Sequence, residues 1–496
     1  MRLTIDAVRA LLRHPVGLCV AAAVSLATVQ LLAVAPFTAG DEVAHLDYAW
    51  QVWHGQLPVF EDGLRLRPEH AWIPPVQWTS QHPPLFYLLL APVVGPLADA
   101  GHAVGAMYAA RALGALVAGL FVLVTAWAAR GVVRDGSRLP VVAAFVAACS
   151  AVVAQTAGTV LNDLFAAMWT TALLGLAVRV ARRGLTWPLF AGLVATATAC
   201  ALARTSSLVV ALVGLAGAAL AGLAHRQVAR TAALTGAVAA AVAAAAGWFY
   251  ARNVRLTGTV TGGHPDWAAE NQGRQARSLL QVAIDPVTWD RLPNLWWWGP
   301  VLPREAGTAL WLVPVVIAVV VHRRAAGRAL RRLLGTATER TRGDVRRSAL
   351  LDALPVGVPV AACLVAVAMQ LVYAMPGGGI YPRYLLPAAL ALVLAVSAGL
   401  THRAGPTAWG WARWWTPRVV LPAWTAVTVL DLLTWLGTGR GGSAGAAMIR
   451  PPDTPLGYPP LTGAAWAAAV VAIALVAAAC AAVLAVVRAE RADAAA

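Results

Sequence analysis

The sequence predicts an all-α polytopic membrane protein with about twelve transmembrane helices. Hydrophobic residues make up 59% of its 496 residues, charged residues make up 12%, and the mean hydropathy is +0.68. Too few polar side chains remain to cover a water-soluble globule. Long apolar segments recur along the chain, and clusters of arginine separate them. Composition, segment length and charge distribution therefore indicate the same fold class.

The predicted spans are the segments that come near the roughly 20 apolar residues a transmembrane helix needs. They lie near 16–36, 107–129, 139–157, 161–180, 187–203, 206–224, 231–250, 307–321, 351–374, 384–400, 419–437 and 462–487. A cleaved signal peptide has a shorter apolar region, about 7–15 residues, so we expect the first segment to be retained. The five cysteines fall inside apolar runs without CxxC spacing and read as small buried hydrophobes.

One further apolar segment, residues 82–101, is short and is interrupted by Pro92 and Pro96. Arginine-rich loops mark the cytoplasmic side of a membrane protein. If residues 82–101 crossed the bilayer, the arginine clusters after residue 129 would move outside while the N-terminus stayed inside. If the segment is juxtamembrane or re-entrant, all clusters share one side, with most of the 38 basic residues. We therefore expect a juxtamembrane or re-entrant helix and cytoplasmic termini.

The formal net charge of +16 does not indicate nucleic-acid binding. The arginines lie in short loops beside spans, where orientation and contact with anionic lipid headgroups account for them. On the other face, two long segments remain, residues 37–106 and 251–306, which we call the first and second loop segments. They hold most of the remaining carboxylates, so we expect any chemistry on that outer face.

The stretch "DEVAHLDYAWQVWHG" begins the first loop segment at Asp41. Asp41 is a favoured N-cap, Glu42 suits the first helical turn and Gly55 is a natural stop, so the stretch predicts a capped interfacial helix. Capping does not require two adjacent acids, nor His45 on the same face as Asp41. A carboxylate desolvated at a membrane surface is a suitable general base, because its pKa rises. Structural and catalytic readings of this helix stay open.

Two more motifs contain candidate polar residues. In "SQHPPLFYLL" (80–89), His82 precedes two prolines that suit the first turn of a helix, so a purely structural role is open. In "TVLNDLFAAMW" (159–169), Asp163 lies at the end of a span. An acid there is a common cap, but an ionisable residue at the membrane is also a functional-site hypothesis, which we favour.

A group of arginines is predicted on the same outer face. Its members are Arg204 in "ALARTSSL", Arg252 and Arg255 in "GWFYARNVRLTG", and Arg383, followed by Tyr384, in "GGGIYPRYLLP". Each arginine alone reads as a side chain that snorkels to lipid phosphates. Converging arginines also suit a phosphorylated lipid substrate, since a guanidinium grips phosphate with two parallel hydrogen bonds.

These motifs, in this order, resemble the GT-C superfamily of polytopic glycosyltransferases that use polyprenyl-phosphate-linked sugars. The resemblance is to bacterial members related to protein mannosyltransferases and aminoarabinose transferases, in a poorly characterised actinobacterial-type branch. It rests on Asp41–Glu42 after the first span, the "xPPL" helix at His82–Leu85, the span that begins with Arg111, Asp163, and "PRYLLP" at 382–387. Many relatives have Lys before the Pro–Pro pair where this chain has His82, which departs from the family pattern.

The resemblance implies a GT-C-like bundle with juxtamembrane helices in the first loop segment. It implies a catalytic or metal-associated carboxylate at Asp41, with Glu42 as its neighbour, and leaves open whether a divalent cation such as Mg²⁺ or Mn²⁺ takes part. We expect Asp41, with Glu42 or Asp163, to act on an acceptor hydroxyl. We expect the leaving polyprenyl phosphate to contact Arg204, Arg252 or Arg383, and His45, His82 and Tyr384 to bind substrate.

The expected enzyme is a hexosyl- or pentosyltransferase of the cell membrane, with a glycan, lipid or protein of the cell envelope as acceptor. Residues 1–400 form the expected catalytic module and residues 401–496 add C-terminal helices. Two alternatives remain. A lipid-linked sugar flippase would place acids along a central path at mid-membrane, where only Asp431 is found. A polysaccharide polymerase or ligase would also use outer-face arginines, but has no need for the acid pair.

Overall fold

The structure is a computed structural model that describes residues 12–38, 41–69, 71, 73–133, 137–299, 303–334, 339–402, 416–437 and 459–495. Every regular element in these ranges is helical. The first half contains α1 (Pro15–Ala33), α2 (Glu42–Trp53), α3 (Leu85–Asp99), α4 (Ala103–Val132), α5 (Leu139–Ala148), α6 (Ala151–Ala157), α7 (Asp163–Arg183), α8 (Trp187–Ala203), α9 (Thr205–Ala224) and α10 (Val228–Thr257). The second half contains α11 (Pro265–Gln272), α12 (Leu279–Ile284), α13 (Pro286–Arg291), α14 (Arg304–Leu334), α15 (Glu339–Ala374), α16 (Ala389–Thr401), α17 (Pro417–Gly437) and α18 (Thr462–Ala495). The prediction of an all-α polytopic membrane protein is confirmed.

Ten helices of the described ranges are long and apolar enough to cross a membrane, and the bent pair α5 and α6 makes an eleventh. The one predicted span not counted there, near 187–203, corresponds to α8, which is apolar but has 17 residues. Each of the twelve predicted segments therefore falls on helix, although the count of full-length spans is lower than predicted. The division at residue 400 stays a prediction, and residues 403–415 beside it lie outside the described ranges.

The predicted span at 139–157 is not one straight helix, because its two halves meet at an angle of 56°. The break has a visible cause at Ser150, whose hydroxyl caps α6 by accepting from Val153 N and donates to the Leu295 carbonyl at 2.8 Å. The same carbonyl accepts from Val152 N at 3.1 Å. A carbonyl of the second loop segment thus takes up donors that a continuous helix would use internally, which kinks the span.

The first loop segment folds into two short helices that pack against each other, α2 and α3. The 15 residues of α3 rise about 22 Å at 1.5 Å each, less than the roughly 30 Å of a hydrocarbon core. The predicted juxtamembrane helix at 82–101 is therefore present and too short to span. As expected, α2 ends before Gly55, whose φ of 71° favours glycine.

The bundle is closed by contacts between helices distant in sequence. The last helix, α18, packs along the first, and α4 packs on both α1 and α7. Further inside, α9 packs on α7 and α15. Buried apolar side chains from these helices form one continuous core. This packing brings the N-terminal ends of α2, α7 and α9 to the same end of the bundle as the C-terminal end of α15, and the polar residues meet there.

Candidate active site

A cavity of about 430 Å³ opens at this end of the bundle. Its wall comes from α2, α7, α9 and α15, from both loop segments, and from a short 3-10 helix at Pro382–Ala388. Seven of the nine predicted site residues line it, namely Asp41, His45, His82, Asp163, Arg204, Arg383 and Tyr384. Residues separated by more than 300 positions in sequence thus meet in one space.

Asp163 and two arginines form the charged centre of the cavity. Asp163 is the first residue of α7, and its Oδ1 lies 2.9 Å from an Arg204 nitrogen. Its Oδ2 lies 3.9 Å from Arg383 Nε. Arg204 also donates to Asn162 Oδ1 at 2.6 Å, and the Asn162 amide donates to the Ala203 carbonyl. The predicted helix cap at Asp163 is thus an ion-pair partner that holds two guanidinium groups at the cavity.

Arg383 keeps a donor available in this centre. Its Nε is buried and has no hydrogen-bond partner among the described residues. The guanidinium lies over two aromatic rings, 4.7 Å from the Tyr381 centroid and 5.3 Å from the Tyr384 centroid. Arg383 also lines the cavity, where the positive charge of its guanidinium suits an anionic ligand.

Asp41 faces the cavity instead of capping its helix. It occupies the N-cap position of α2, but its side chain makes no capping hydrogen bond. Burial raises the pKa of the Asp41 carboxyl, and Asp163 raises it further, while the charges of Arg383 and Arg204 lower it. The expected side-chain cap is therefore wrong. A desolvated carboxyl that lines a cavity matches the properties of a general base.

Two histidines line the cavity beside Asp41. His45 and His82 stack with ring centroids 5.9 Å apart. His45 Nδ1 is 2.9 Å from the Tyr87 hydroxyl, and Tyr48 donates to the His82 carbonyl at 2.9 Å. Burial lowers the pKa of both imidazoles well below the usual value, and the Arg204 and Arg383 charges add to this effect. Both rings are therefore neutral near pH 7, suited to hydrogen bonding with an uncharged group.

The remaining two predicted residues lie elsewhere. Glu42 is fully buried, and its carboxylate accepts from Arg111 Nε at 2.7 Å, from Arg111 Nη2 at 2.6 Å and from Val160 N at 3.0 Å. Arg252 donates to the Pro58 carbonyl behind the wall of the cavity. The structure therefore does not bring Glu42 or Arg252 to the cavity, and both side chains bond to groups within the protein.

Other residues of the site were not predicted. Trp78, Gln81, His264 and Arg274 line the cavity from the two loop segments. Asp47 lies behind the wall, where it accepts from Arg65 N, Leu66 N, Gln51 and Gln77, and so fixes the first loop segment on α2. The one available signal was the position of these residues in the loop segments, which does not say which of them converge.

We compared the chain with known proteins. It matches no protein-family model and no curated protein sequence. Among solved structures, ArnT from Cupriavidus metallidurans bound to undecaprenyl phosphate is 16% identical with a TM-score of 0.44, over 95% of this chain and 75% of that chain.

Two structures from Archaeoglobus fulgidus are also similar. The oligosaccharyltransferase in the apo form is 15% identical with a TM-score of 0.38, over 90% of this chain and 61% of that chain. AglB in complex with an inhibitory peptide and a dolichol-phosphate is 13% identical with a TM-score of 0.37, over the same shares. At these values the functional argument rests on the side chains of the cavity.

The cavity was also tested for a cation site. Among the residues that the structure describes, no three His, Cys, Asp or Glu side chains lie close enough together to hold a metal ion. Both oxygens of Asp163 face arginines, which are repelled by a cation. The residues present therefore do not fit a divalent cation held by the protein alone. Arg204, Arg274 and Arg383 bring positive charge to the cavity.

Proposed function

We propose that this protein is an integral-membrane glycosyltransferase that moves a sugar from a polyprenyl-phosphate donor to an acceptor of the cell envelope. The observation that carries the proposal is the cavity, where a desolvated carboxyl at Asp41 faces two arginines that are themselves held by Asp163. General-base chemistry needs the first group, and a phosphate leaving group needs the second.

The proposed reaction uses these groups in one displacement. Asp41 accepts the proton of an acceptor hydroxyl, and the oxygen attacks the anomeric carbon of the donor. The bond from that carbon to the phosphate oxygen breaks, and the electron pair leaves with polyprenyl phosphate. Arg204 and Arg383 stabilise the added negative charge on the phosphate. His45, His82 and Tyr384 are placed to hydrogen-bond the sugar hydroxyls or the phosphate.

The inner part of the cavity supports a lipid-linked donor. Val209 and Val210 on α9, with Ala366 and Met369 on α15, line this part. Both helices are long and apolar enough to span a membrane. An apolar wall that continues from the arginines between two spans suits a phosphate that carries a prenyl chain. A soluble nucleotide sugar would gain nothing from that wall.

We propose that the cavity faces the outside of the cell membrane and that both termini are cytoplasmic. Most of the 38 basic residues lie in the clusters between spans that the sequence predicts to be cytoplasmic, whereas the residues of the cavity lie in and beside the two loop segments. The excess of arginine in cytoplasmic loops supports this orientation. We propose a glycan, lipid or protein of the cell envelope as the acceptor and a hexose or pentose as the transferred sugar.

The two alternatives gain less support from the side chains. Asp431, the acid expected on a transport path, is buried and accepts from Trp298 N at 2.7 Å, and it does not line the cavity. The acids of the cavity lie at one end of the bundle, whereas a flippase needs a path across it. A polymerase or ligase differs from the proposal in its acceptor, so the acceptor used in an assay separates the two.

Replacement of Asp41 by Asn tests the proposal. The change removes the base and keeps the shape of the side chain, so transfer should fall about 10²–10⁴-fold. The measurement is sugar transfer in outside-out vesicles that contain a polyprenyl-phosphate sugar, with the acceptor confined to the external solution. The same assay reports on which side of the membrane the site lies.

Asp266→Asn is the matched control, because Asp266 is an exposed acid of the second loop segment and does not line the cavity. It should leave transfer unchanged. If Asp41→Asn turns over at the wild-type rate, Asp41 is not the base and the role passes to Asp163. If Asp163→Asn is also fully active, the glycosyltransferase proposal fails.

A further inference from the structure

A second group of residues lines the cavity and has no role in the phosphate chemistry. It comprises Trp78 and Gln81 from the first loop segment and His264 and Arg274 from the second. None belongs to a helix that spans the membrane by length and composition. The cavity therefore has two chemically different parts, a charged and apolar part between spans and an aromatic part between the loop segments.

The aromatic part is a packed cluster of four rings, Phe60, Trp78, His264 and Trp267, which we call the aromatic cluster. Phe60 stacks on His264 with centroids 3.6 Å apart, and Trp267 meets Phe60 edge-on at 5.5 Å. Trp78 lies 5.7 Å from both Phe60 and Trp267. Because each ring is held by others, Trp78 is fixed where it meets the cavity.

Polar groups surround the exposed part of this cluster. The Arg274 guanidinium lies over one face of the Trp78 ring, 5.3 Å from its centroid, so a sugar would contact the part of the indole that lines the cavity. Gln81 donates to the Trp78 carbonyl at 3.2 Å, which leaves its amide oxygen free to accept. The charge of Arg274 also acts on Asp41, so the aromatic cluster and the proposed base share one space. A flat apolar face next to fixed donors and acceptors is a surface of mixed character.

We propose that Trp78 and Arg274 bind a carbohydrate ring of the acceptor. A sugar ring has an apolar C–H face that fits the indole, and hydroxyl groups at its rim that fit Gln81, His264 and Arg274. A ring in this position presents a hydroxyl towards Asp41, whereas the donor sugar is tied to the phosphate at Arg204 and Arg383. Among glycan, lipid and protein acceptors, the aromatic cluster therefore selects a glycan or glycosylated acceptor. The acceptor role rests on the proposed function, but ring binding does not.

Ring binding is tested on the purified full-length protein in detergent. Saturation-transfer NMR is recorded with maltotriose, mannotriose, cellotriose and arabinotriose as probes. Trp78→Leu should weaken binding of at least one trisaccharide about two- to tenfold, the effect of losing one aromatic contact. Trp78→Phe, which keeps a ring, should restore most of the affinity.

Trp289→Leu is the matched control, because Trp289 is an exposed tryptophan of the second loop segment that does not line the cavity. It should bind the trisaccharides as the wild type does. Binding of undecaprenyl phosphate, measured on the same preparations, should be unchanged in every variant and shows that Trp78→Leu is folded. Equal weakening in both leucine variants, or no binding of any trisaccharide to the wild type, overturns the inference.

A binding measurement with a polyprenyl-phosphate sugar shows whether the sugar ring at Trp78 belongs to the donor or to the acceptor. If Trp78→Leu weakens binding of a polyprenyl-phosphate sugar but leaves the trisaccharides unaffected, the ring belongs to the donor and the acceptor assignment is wrong. Trisaccharide binding through Trp78 without any sugar transfer would contradict the proposed function and leave the ring site standing. If the protein transfers sugar but Trp78→Leu binds the trisaccharides as the wild type does, the proposed function stands and the ring site at Trp78 is wrong.

Discussion

Two acid–arginine pairs in this protein have the same chemistry and different surroundings. Arg111 and Glu42 are both fully buried, and Arg111 donates to the carboxylate and to the carbonyls of Leu31, Val34 and Ala35. Arg204 and Asp163 are paired at 2.9 Å at the cavity wall, where the Arg204 side chain is 14% exposed. Nearby Arg383 has a buried Nε without a partner.

The difference lies in how completely the donors are used. All three nitrogens of Arg111 have oxygen partners within the protein, so no donor remains for a ligand. Both arginines at Asp163 line the cavity, and the Nε of Arg383 has no hydrogen-bond partner among the described residues. An ion pair with every group satisfied stabilises the fold, whereas a pair with an open donor is available to bind. Completeness of hydrogen bonding, and not the residue types, separates a structural pair from a binding pair.

The largest expected effect comes from breaking the Arg111–Glu42 pair, which we call the closed pair because every donor of Arg111 is used within the protein. Arg111→Met leaves the Glu42 carboxylate buried and unpaired, which typically costs about 3–5 kcal/mol. We expect a large loss of thermal stability in detergent. The double variant Glu42→Gln with Arg111→Met removes both charges and should recover part of that loss. If Arg111→Met melts at the wild-type temperature, the closed pair does not stabilise the fold.

A change at Arg383, beside the Arg204–Asp163 pair, should have the opposite result: weaker binding with little change in stability. Arg383→Lys keeps the charge and loses the planar donor group, so the affinity for polyprenyl phosphate should fall about 10–100-fold, the range for a hydrogen bond to a charged group. Thermal stability should change little. Arg255→Lys is the control, since Arg255 is an exposed arginine that does not line the cavity. Unchanged affinity in Arg383→Lys would remove Arg383 from the phosphate site.

The smallest expected effect concerns pH. Burial raises the pKa of Asp41. The decline of kcat/KM on the acidic side, where the base becomes protonated, should therefore occur at a higher pH than for an ordinary aspartate. Folding stability has the opposite sign, since the ionised form is disfavoured in the folded state and stability decreases as pH rises towards the raised pKa. Asp41→Asn should therefore be at least as stable as the wild type at pH 7. A less stable variant would indicate a structural role for Asp41.

The sequence was sufficient for the fold and for most of the cavity, for a physical reason. Hydropathy and charge locate the spans and their ends, and polar residues at helix ends, such as Asp163 and Arg204, are pushed together when the helices pack. The sequence was not sufficient to separate Asp41 from Glu42. Adjacent residues of a helix point about 100° apart, and which one faces a cavity depends on the neighbouring helices.

Residues in irregular segments were also beyond prediction. Trp78 and His264 lie in stretches without a helical period, so no pattern assigns them a face. Their meeting depends on how two loop segments pack, which is a long-range property. Arg111 was recognised as the start of a span, but its partner lies 69 residues earlier and is not visible in the sequence.

The closed pair also sets an order on biosynthesis. The Glu42 carboxylate and the carbonyls of Leu31, Val34 and Ala35 share the donors of Arg111, which is made 69 residues after Glu42. At about 5–20 residues per second, this takes roughly 3–14 seconds of translation. During that interval α1 ends in unsatisfied carbonyls beside a carboxylate, and the ribosome has yet to deliver their common partner. The contact that ties Glu42 to the end of α1 therefore forms only after the first part of α4 has been made.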